Sequence, residues 1–324
     1  MEAKKSFHTP VLLNEVLEFL DPKPGQTIID GTLGGGGHSL ALAKAIEPKG
    51  ILVGIDLDPA ALTEATAKIK DADIKSEIHF VKGNYKDIKK IVSDLGLKEI
   101  NAIIIDIGIS SYDLEGSNRG FSFQKHEPLD MRFDPEARPA HKEKEPFTAR
   151  YIANHYSEKE LKQIFDQYGE EKFSSRIVRG IIEHRQENKI ETTEDLFNII
   201  KHSLPAAFRF RAGDRARRIF QALRIEVNKE LENLEKFLPD AFEILAKNGK
   251  LAVISFHSLE DRIVKHFFLE KAKGCICPPD FPQCVCGKEP LAKILTKKPI
   301  TASGEEQKEN SRSTPAKLRV IQKI

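Results

Sequence analysis

The chain has 324 residues, 40% of them hydrophobic and 31% charged, which suffices for a buried core and suits two domains or one with a large insertion. The formal net charge of +2 selects no partner. The short apolar run near the N-terminus and the acid-bearing "INAIIIDIGI" argue against a signal peptide and a membrane span, so a cytoplasmic protein is expected.

In chain order, "QTIID" reads as a strand, followed by a glycine-rich loop and the helix "HSLALAKAI". "GILVGIDLD" is a second strand, and "PAALTEATAKIK" its helix, with Pro59 at an early helical position. "EIHFVKGN" is a third strand, "KDIKKIVSDLG" a helix and "INAIIIDIG" a fourth strand. Continuous β-branched runs between helices imply a parallel sheet covered on both faces. From about Tyr112 to Ala216 the patterns are helical or irregular. A long helix over roughly Arg217 to Ala246 follows, then the strand "GKLAVISF" and the helix "LEDRIVKHFFLEK". "AKILTKKPI" and "AKLRVIQKI" suit an antiparallel pair. The expected fold is α/β: a Rossmann-like sheet from residues 1–111 plus 217–324, interrupted by a helical insertion at 112–216.

"IIDGTLGGGGHS" carries the first functional signal. Strand, glycine turn and helix N-terminus form a nucleotide-binding device, since glycines let the backbone approach a ligand and the helix end offers free N–H groups. Gly34, Gly36 and Gly37 make an imperfect G-x-G-x-x-G, for which a ligand-free tight turn is a fair competitor. Asp56, at the end of the second strand and about 20 residues beyond the loop, stands where such folds place a ribose-binding acid. Asp30 distinguishes the nucleosides. A carboxylate repels a pyrophosphate but attracts the ammonium and sulfonium of S-adenosylmethionine; helix capping or a loop hydrogen bond is the structural alternative. No Gly-Lys-Ser/Thr follows the glycines, which disfavours a Walker loop.

Asp106 ends the fourth strand in "IIIDIGISS", beside the loop. It is the candidate catalytic acceptor for the N–H of an amine undergoing methylation, or a contact to the methionine end of the cofactor. Capping of the next segment is the structural alternative.

At this point the chain resembles the bacterial S-adenosylmethionine-dependent methyltransferases that modify cytosine N4 in 16S ribosomal RNA. "HTPVLLNEV", "DGTLGGGGHS", "IDLDPAA", "DIGISS", "RGFSFQKHEPLDMRFD", "YGEEKFSSRIVRGI", "RIFQALRIEVNKEL", "ISFHSLEDRIVK" and "AKLRVI" are similar to its blocks nearly end to end. The resemblance implies a seven-stranded class I methyltransferase sheet with an inserted helical substrate-recognition domain. It implies cofactor contacts at Gly36, Gly37, His38, Asp56, Tyr85, Asp106 and Asp113. Its expected partner is 16S rRNA within the small ribosomal subunit. Two departures stand out: Asp113 replaces the family's glutamine in "SSYDLE", and Glu127 replaces a glycine. Tyr85 also has a warrant of its own, as an aromatic able to stack on adenine, against ordinary strand-end packing.

Residues Lys201 to Lys229 hold eight Lys or Arg against two acids. "FRFRAGDRARR" interleaves Phe208 and Phe210 with Arg209, Arg211, Arg215, Arg217 and Arg218, a pattern suited to phosphates and unpaired bases; a solvated helix start is the alternative. His257 in "SFHSLEDR" is a candidate contact to RNA or the target base, or a structural histidine bonded to backbone. Cys275, Cys277, Cys284 and Cys286 have Cys-x-Cys spacings and read as free thiols or a zinc site, with no metal expected in methyl transfer. An RNA-binding or ribosome-assembly factor on a methyltransferase scaffold, without turnover, is the second functional reading. Nothing in the residues fixes an oligomeric state.

Overall fold

A computed structural model describes residues 10–137, 145–275, 277, 283 and 285–324. The chain forms two compact units, one ending its first segment at Gly108 and resuming over Glu232–Ile324, the other Ile109–Leu231. In the first, α1 (Leu13–Leu20) precedes β1 (Thr27–Asp30), α2 (Gly37–Ala45), β2 (Ile51–Asp56), α3 (Pro59–Lys70), β3 (Glu77–Lys82), α4 (Ile88–Asp94) and β4 (Ile100–Asp106). The second contains α5 (Ser111–Glu115), α6 (Ala149–His155), α7 (Glu158–Gln167), α8 (Ser174–Glu187), α9 (Thr193–Ser203) and α10 (Ala212–Asn228). The chain then runs through α11 (Glu230–Ile244), β5 (Leu245–Ser255), α12 (Ser258–Ala272), β6 (Ala292–Ile294), α13 (Gly304–Glu309) and β7 (Lys317–Lys323).

The seven strands are ordered β3-β2-β1-β4-β5-β7-β6. Strands β1 to β5 are mutually parallel, and β7 is antiparallel to both β5 and β6. The period of two divides β4 between layers: Ile103 and Ile105 enter one core cluster with Phe237 and Phe268, and Ala102 and Ile104 enter another with Leu42 and Val320. Both faces are therefore covered, which is why these strands read as unbroken apolar runs. Strand order reverses between β1 and β4. That switch opens a crevice beyond the carboxyl ends, where Asp30, Asp56 and Asp106 end β1, β2 and β4.

The second unit has its own core, including Phe165, Ile177, Ile181, Ile200, Ile219 and Leu223. Here the expected long helix from Arg217 is two helices. Lys229, between α10 and α11, adopts a left-handed conformation (φ 52°), which ends α10. The break is braced: Arg224 makes a buried double contact with Glu230 at 2.7 and 2.9 Å, and the Asn228 side chain bonds Phe133 N and Met131 O, each at 2.8 Å. Because α10 buries Ala216, Ile219, Phe220 and Leu223 in this core, it belongs to the second unit. The unit accordingly runs to Leu231, beyond the expected boundary at Ala216.

Candidate active site

The loop after β1 is organised by its acids. Asp30 is only 2% exposed; its Oδ1 accepts from Thr32 N at 3.2 Å and its Oδ2 from Ser39 Oγ at 2.7 Å. Thr32 Oγ1 accepts in turn from Asp106 N at 2.6 Å. One carboxylate thus joins the loop to α2, and the threonine joins it to β4. Burial pushes Asp30 up to about 6, against the lowering effect of the Ser39 and Thr32 bonds. Of the two readings of Asp30, the structure displays the loop hydrogen bond: one oxygen accepts within the loop and the other from α2.

Asp56 grips the same loop, accepting from Gly34 N at 2.8 Å and from Asp58 N at 2.9 Å. Asp58 caps α3 through Ala60 N, with Pro59 behind it. Gly36 is required twice over. Its φ is +71°, and a Cβ there would lie 2.9 Å from the Ala65 Cβ on α3. Gly37 begins α2, packed against Pro10. Tyr85 opens a short 3-10 turn after β3, with its ring edge-on to Phe237 at 5.3 Å.

His38 is buried, with Nε2 2.9 Å from Val11 O and Nδ1 3.9 Å from Asp106 Oδ2. Burial lowers its pKa to about 4, so the ring is neutral at neutral pH. A carbonyl only accepts, so Nε2 carries the hydrogen and Nδ1 presents a lone pair toward Asp106.

Asp106 differs from the other two acids. Its side chain is 26% exposed, yet Oδ1 is sealed and has no hydrogen-bond partner among the described residues. Burial, followed by the charges of Asp30 and Glu260, pushes its carboxyl up to about 8. Leaving such an oxygen unbonded costs about 1–3 kcal/mol, and groups of this kind concentrate at functional sites.

A profile of the MraW methylase family matches residues 5–324. The chain belongs to the MraW methylase family. The ribosomal RNA small subunit methyltransferase H of Heliobacterium mobile is 49% identical over 318 residues, spanning 98% of this chain and 99% of its own. The protein of the same name from Clostridium botulinum strain Loch Maree is 49% identical over 317 residues, with the same coverage. That of Heliobacterium modesticaldum is 47% identical over 318 residues, spanning 98% of each chain.

This methylase has S-adenosylmethionine as its methyl donor, and its residues fit that group. Asp56 ends β2 with its carboxylate on the glycine loop, Gly36 and Gly37 keep side chains off that loop, and Asp106 Oδ1 is a buried acceptor with no partner among the described residues. Sequence reasoning missed Thr32 and Ser39, although both stand inside the glycine motif. It also missed Glu260, whose signal was its place three residues after His257.

His257 is the N-cap of α12. Its ring accepts from Glu260 N at 3.4 Å, and Glu260 Oε2 accepts from Phe256 N at 2.9 Å and His257 N at 3.3 Å. Its Nε2 lies 2.9 Å from Glu260 Oε1 without hydrogen-bond geometry. The side chain is 10% exposed, so capping accounts for a histidine here more directly than the expected RNA contact.

In the second unit, Asp113 accepts from Ser110 N and Oγ at 2.9 and 2.7 Å and pairs with Arg119 at 2.8 Å. These bonds make it the acid of the α5 capping box. Glu127 Oε2 accepts from Gly120 N at 2.9 Å, giving that departure a local purpose. The arginines divide. Arg211, Arg217 and Arg218, with Asp214 and Arg215, line a shallow depression. Phe210 is 79% exposed, with Arg211 over its ring at 5.4 Å. Arg217 pairs with exposed Asp214 at 2.8 Å, Arg218 donates to Glu170 O and Arg209 to Leu204 O. Arg215 also reaches inward, lying over Phe173 and 3.5 Å from the buried Glu171 carboxylate.

Proposed function

We propose that the protein transfers a methyl group from S-adenosylmethionine to the exocyclic N4 amine of a cytosine in 16S rRNA, within the small ribosomal subunit and in the cytoplasm. The observation that carries this reading is the sealed, unpartnered Oδ1 of Asp106 at the end of β4. Family membership and the relatives' names support the methyl transfer and the class of RNA.

S-adenosylmethionine supplies an electrophilic methyl group when bound. Asp56 would hold the ribose, Tyr85 would meet the base, and Gly36, Gly37 and His38 would line the methionine end. The cytosine N4 lone pair is conjugated into its ring and attacks poorly. Asp106, as a carboxylate, accepts the N4–H bond and directs that lone pair. Transfer would break the S–CH3 bond and release the sulfonium as a neutral thioether; the methylated N4 would then be acidic, and Asp106 is the residue placed to take its proton. Its raised pKa makes it an effective acceptor, and a cation beside it favours the ionised form needed at the start. The His38 ring, its pKa lowered by burial to about 4, stays neutral, so the proton rests on Asp106 until solvent removes it. Exposed Phe210 and the outward arginines of the second unit are the proposed RNA-binding elements.

The test is methyl transfer from labelled S-adenosylmethionine to naked 16S RNA and to small subunits, with the label mapped by nucleoside analysis. Label at cytosine N4 is expected. Cofactor binding without label on either substrate would favour the non-catalytic assembly factor.

A further inference from the structure

The Sγ atoms of Cys275, Cys277 and Cys286 lie within 4.8 Å of one another. They belong to the segment between the end of α12 at Ala272 and the start of β6 at Ala292, whose described residues form neither helix nor strand. The base of the segment is closed independently of the thiols. Leu291 N donates to Lys271 O at 2.9 Å. A Cβ at Gly274 would come within 3.2 Å of Pro290 Cδ, so the two arms touch directly before Cys275 and after Cys286. Among the described residues of the segment, Val285 is 74% and Leu291 52% exposed.

We propose that Cys275, Cys277 and Cys286 bind one zinc ion that organises this loop, apart from methyl transfer. The separation of Cys286 Sγ from Cys275 Sγ is 3.8 Å. Thiolates on a tetrahedral zinc, each at a Zn–S distance of about 2.3 Å, stand about 3.8 Å apart. A disulfide requires about 2.05 Å. Soft thiolates select zinc over magnesium or calcium. Binding releases the thiol protons to solvent and involves no redox change. Cys284, outside the described residues, is not needed for the proposal.

The experiment uses full-length, untagged protein purified under reducing conditions from zinc-supplemented cells. Elemental analysis is expected to find about one zinc per chain. C275S, C277S and C286S should each lose it while keeping wild-type helicity by circular dichroism. Wild-type protein stripped with a mercurial and then reduced should take up zinc one-for-one. With cobalt it should show thiolate charge-transfer absorption. Stripped, reduced protein that takes up no zinc at micromolar concentration would overturn the proposal. So would a Cys275–Cys286 disulfide in freshly isolated protein, or full zinc retention in all three variants.

Discussion

The acids at the carboxyl edge of the sheet and the arginines of the second unit are built on opposite plans. Asp30 and Asp56 accept from backbone and hydroxyl donors that fix the loop, whereas Asp106 Oδ1 is a sealed acceptor with no partner among the described residues. The arginine surface is held loosely: Arg217 pairs with an exposed acid, and Phe210 stands in solvent. A small cofactor rewards a rigid, prearranged cradle, because reorganisation would be repeated at every turnover. A folded RNA is gripped through many phosphates, and mobile side chains adapt to it at little cost. Variants in the first unit should therefore disturb cofactor and chemistry, and those in the second RNA affinity and its salt dependence.

The largest effect is expected from Asp106→Asn. Turnover should fall by about 100-fold or more, the usual scale for loss of a positioned proton acceptor. The pH dependence follows from its sign. Asp106 must be ionised to accept, so kcat/KM in wild type should rise with pH, pass half its maximum at about 8 and level off above that. An acid with a raised folded-state pKa also weakens the fold as pH increases from the unfolded value through the folded one. The neutral asparagine should thus give a cofactor-free protein that melts higher than wild type at alkaline pH, above the carboxyl's value of about 8, read by calorimetry. Full turnover in the variant would remove Asp106 from the chemistry.

Next comes Asp56→Ala. Loss of a charged acceptor for the ribose should cost about 1.5–3 kcal/mol of cofactor affinity, read by titration calorimetry. RNA affinity should stay unchanged, and a parallel loss of RNA binding would erase the contrast between the two regions.

How much of that contrast was legible in the sequence depended on whether a residue acts through its neighbours in the chain. The β-branched runs ending in Asp30, Asp56 and Asp106 announce strands and strand ends, and the parallel sheet follows from the helices between them. For Asp30 a loop hydrogen bond was legible as an alternative, but its second partner was not: Ser39 lies nine positions away across the glycine turn. The break at Lys229 has no local signature, since lysine rarely adopts a left-handed backbone and the Asn228 partners lie near residue 130. The assignment of α10 to the insertion followed from packing that only the fold displays.

In the second unit, replacing Arg209, Arg211, Arg217 and Arg218 together by alanine should weaken rRNA binding. For every phosphate left without its arginine, the slope of log K against log salt should become shallower by about 1. Arg215→Ala should behave differently. It removes the partner of a buried carboxylate and should cost about 1–3 kcal/mol of stability in denaturant unfolding, without altering the salt slope. A salt slope unchanged by the fourfold variant would take this surface out of RNA recognition.

The smallest effect, at His257, decides between two roles. If the ring is an N-cap for α12, His257→Ala should cost about 1 kcal/mol, and His257→Asn should restore most of it because asparagine caps well. Methylation measured well below the melting temperature should then be near wild type in both variants. If His257 touches the RNA, the two variants should share a methylation defect however different their stabilities. The ring's low exposure and its bond from Glu260 N favour the first outcome, with the asparagine variant more stable than the alanine one.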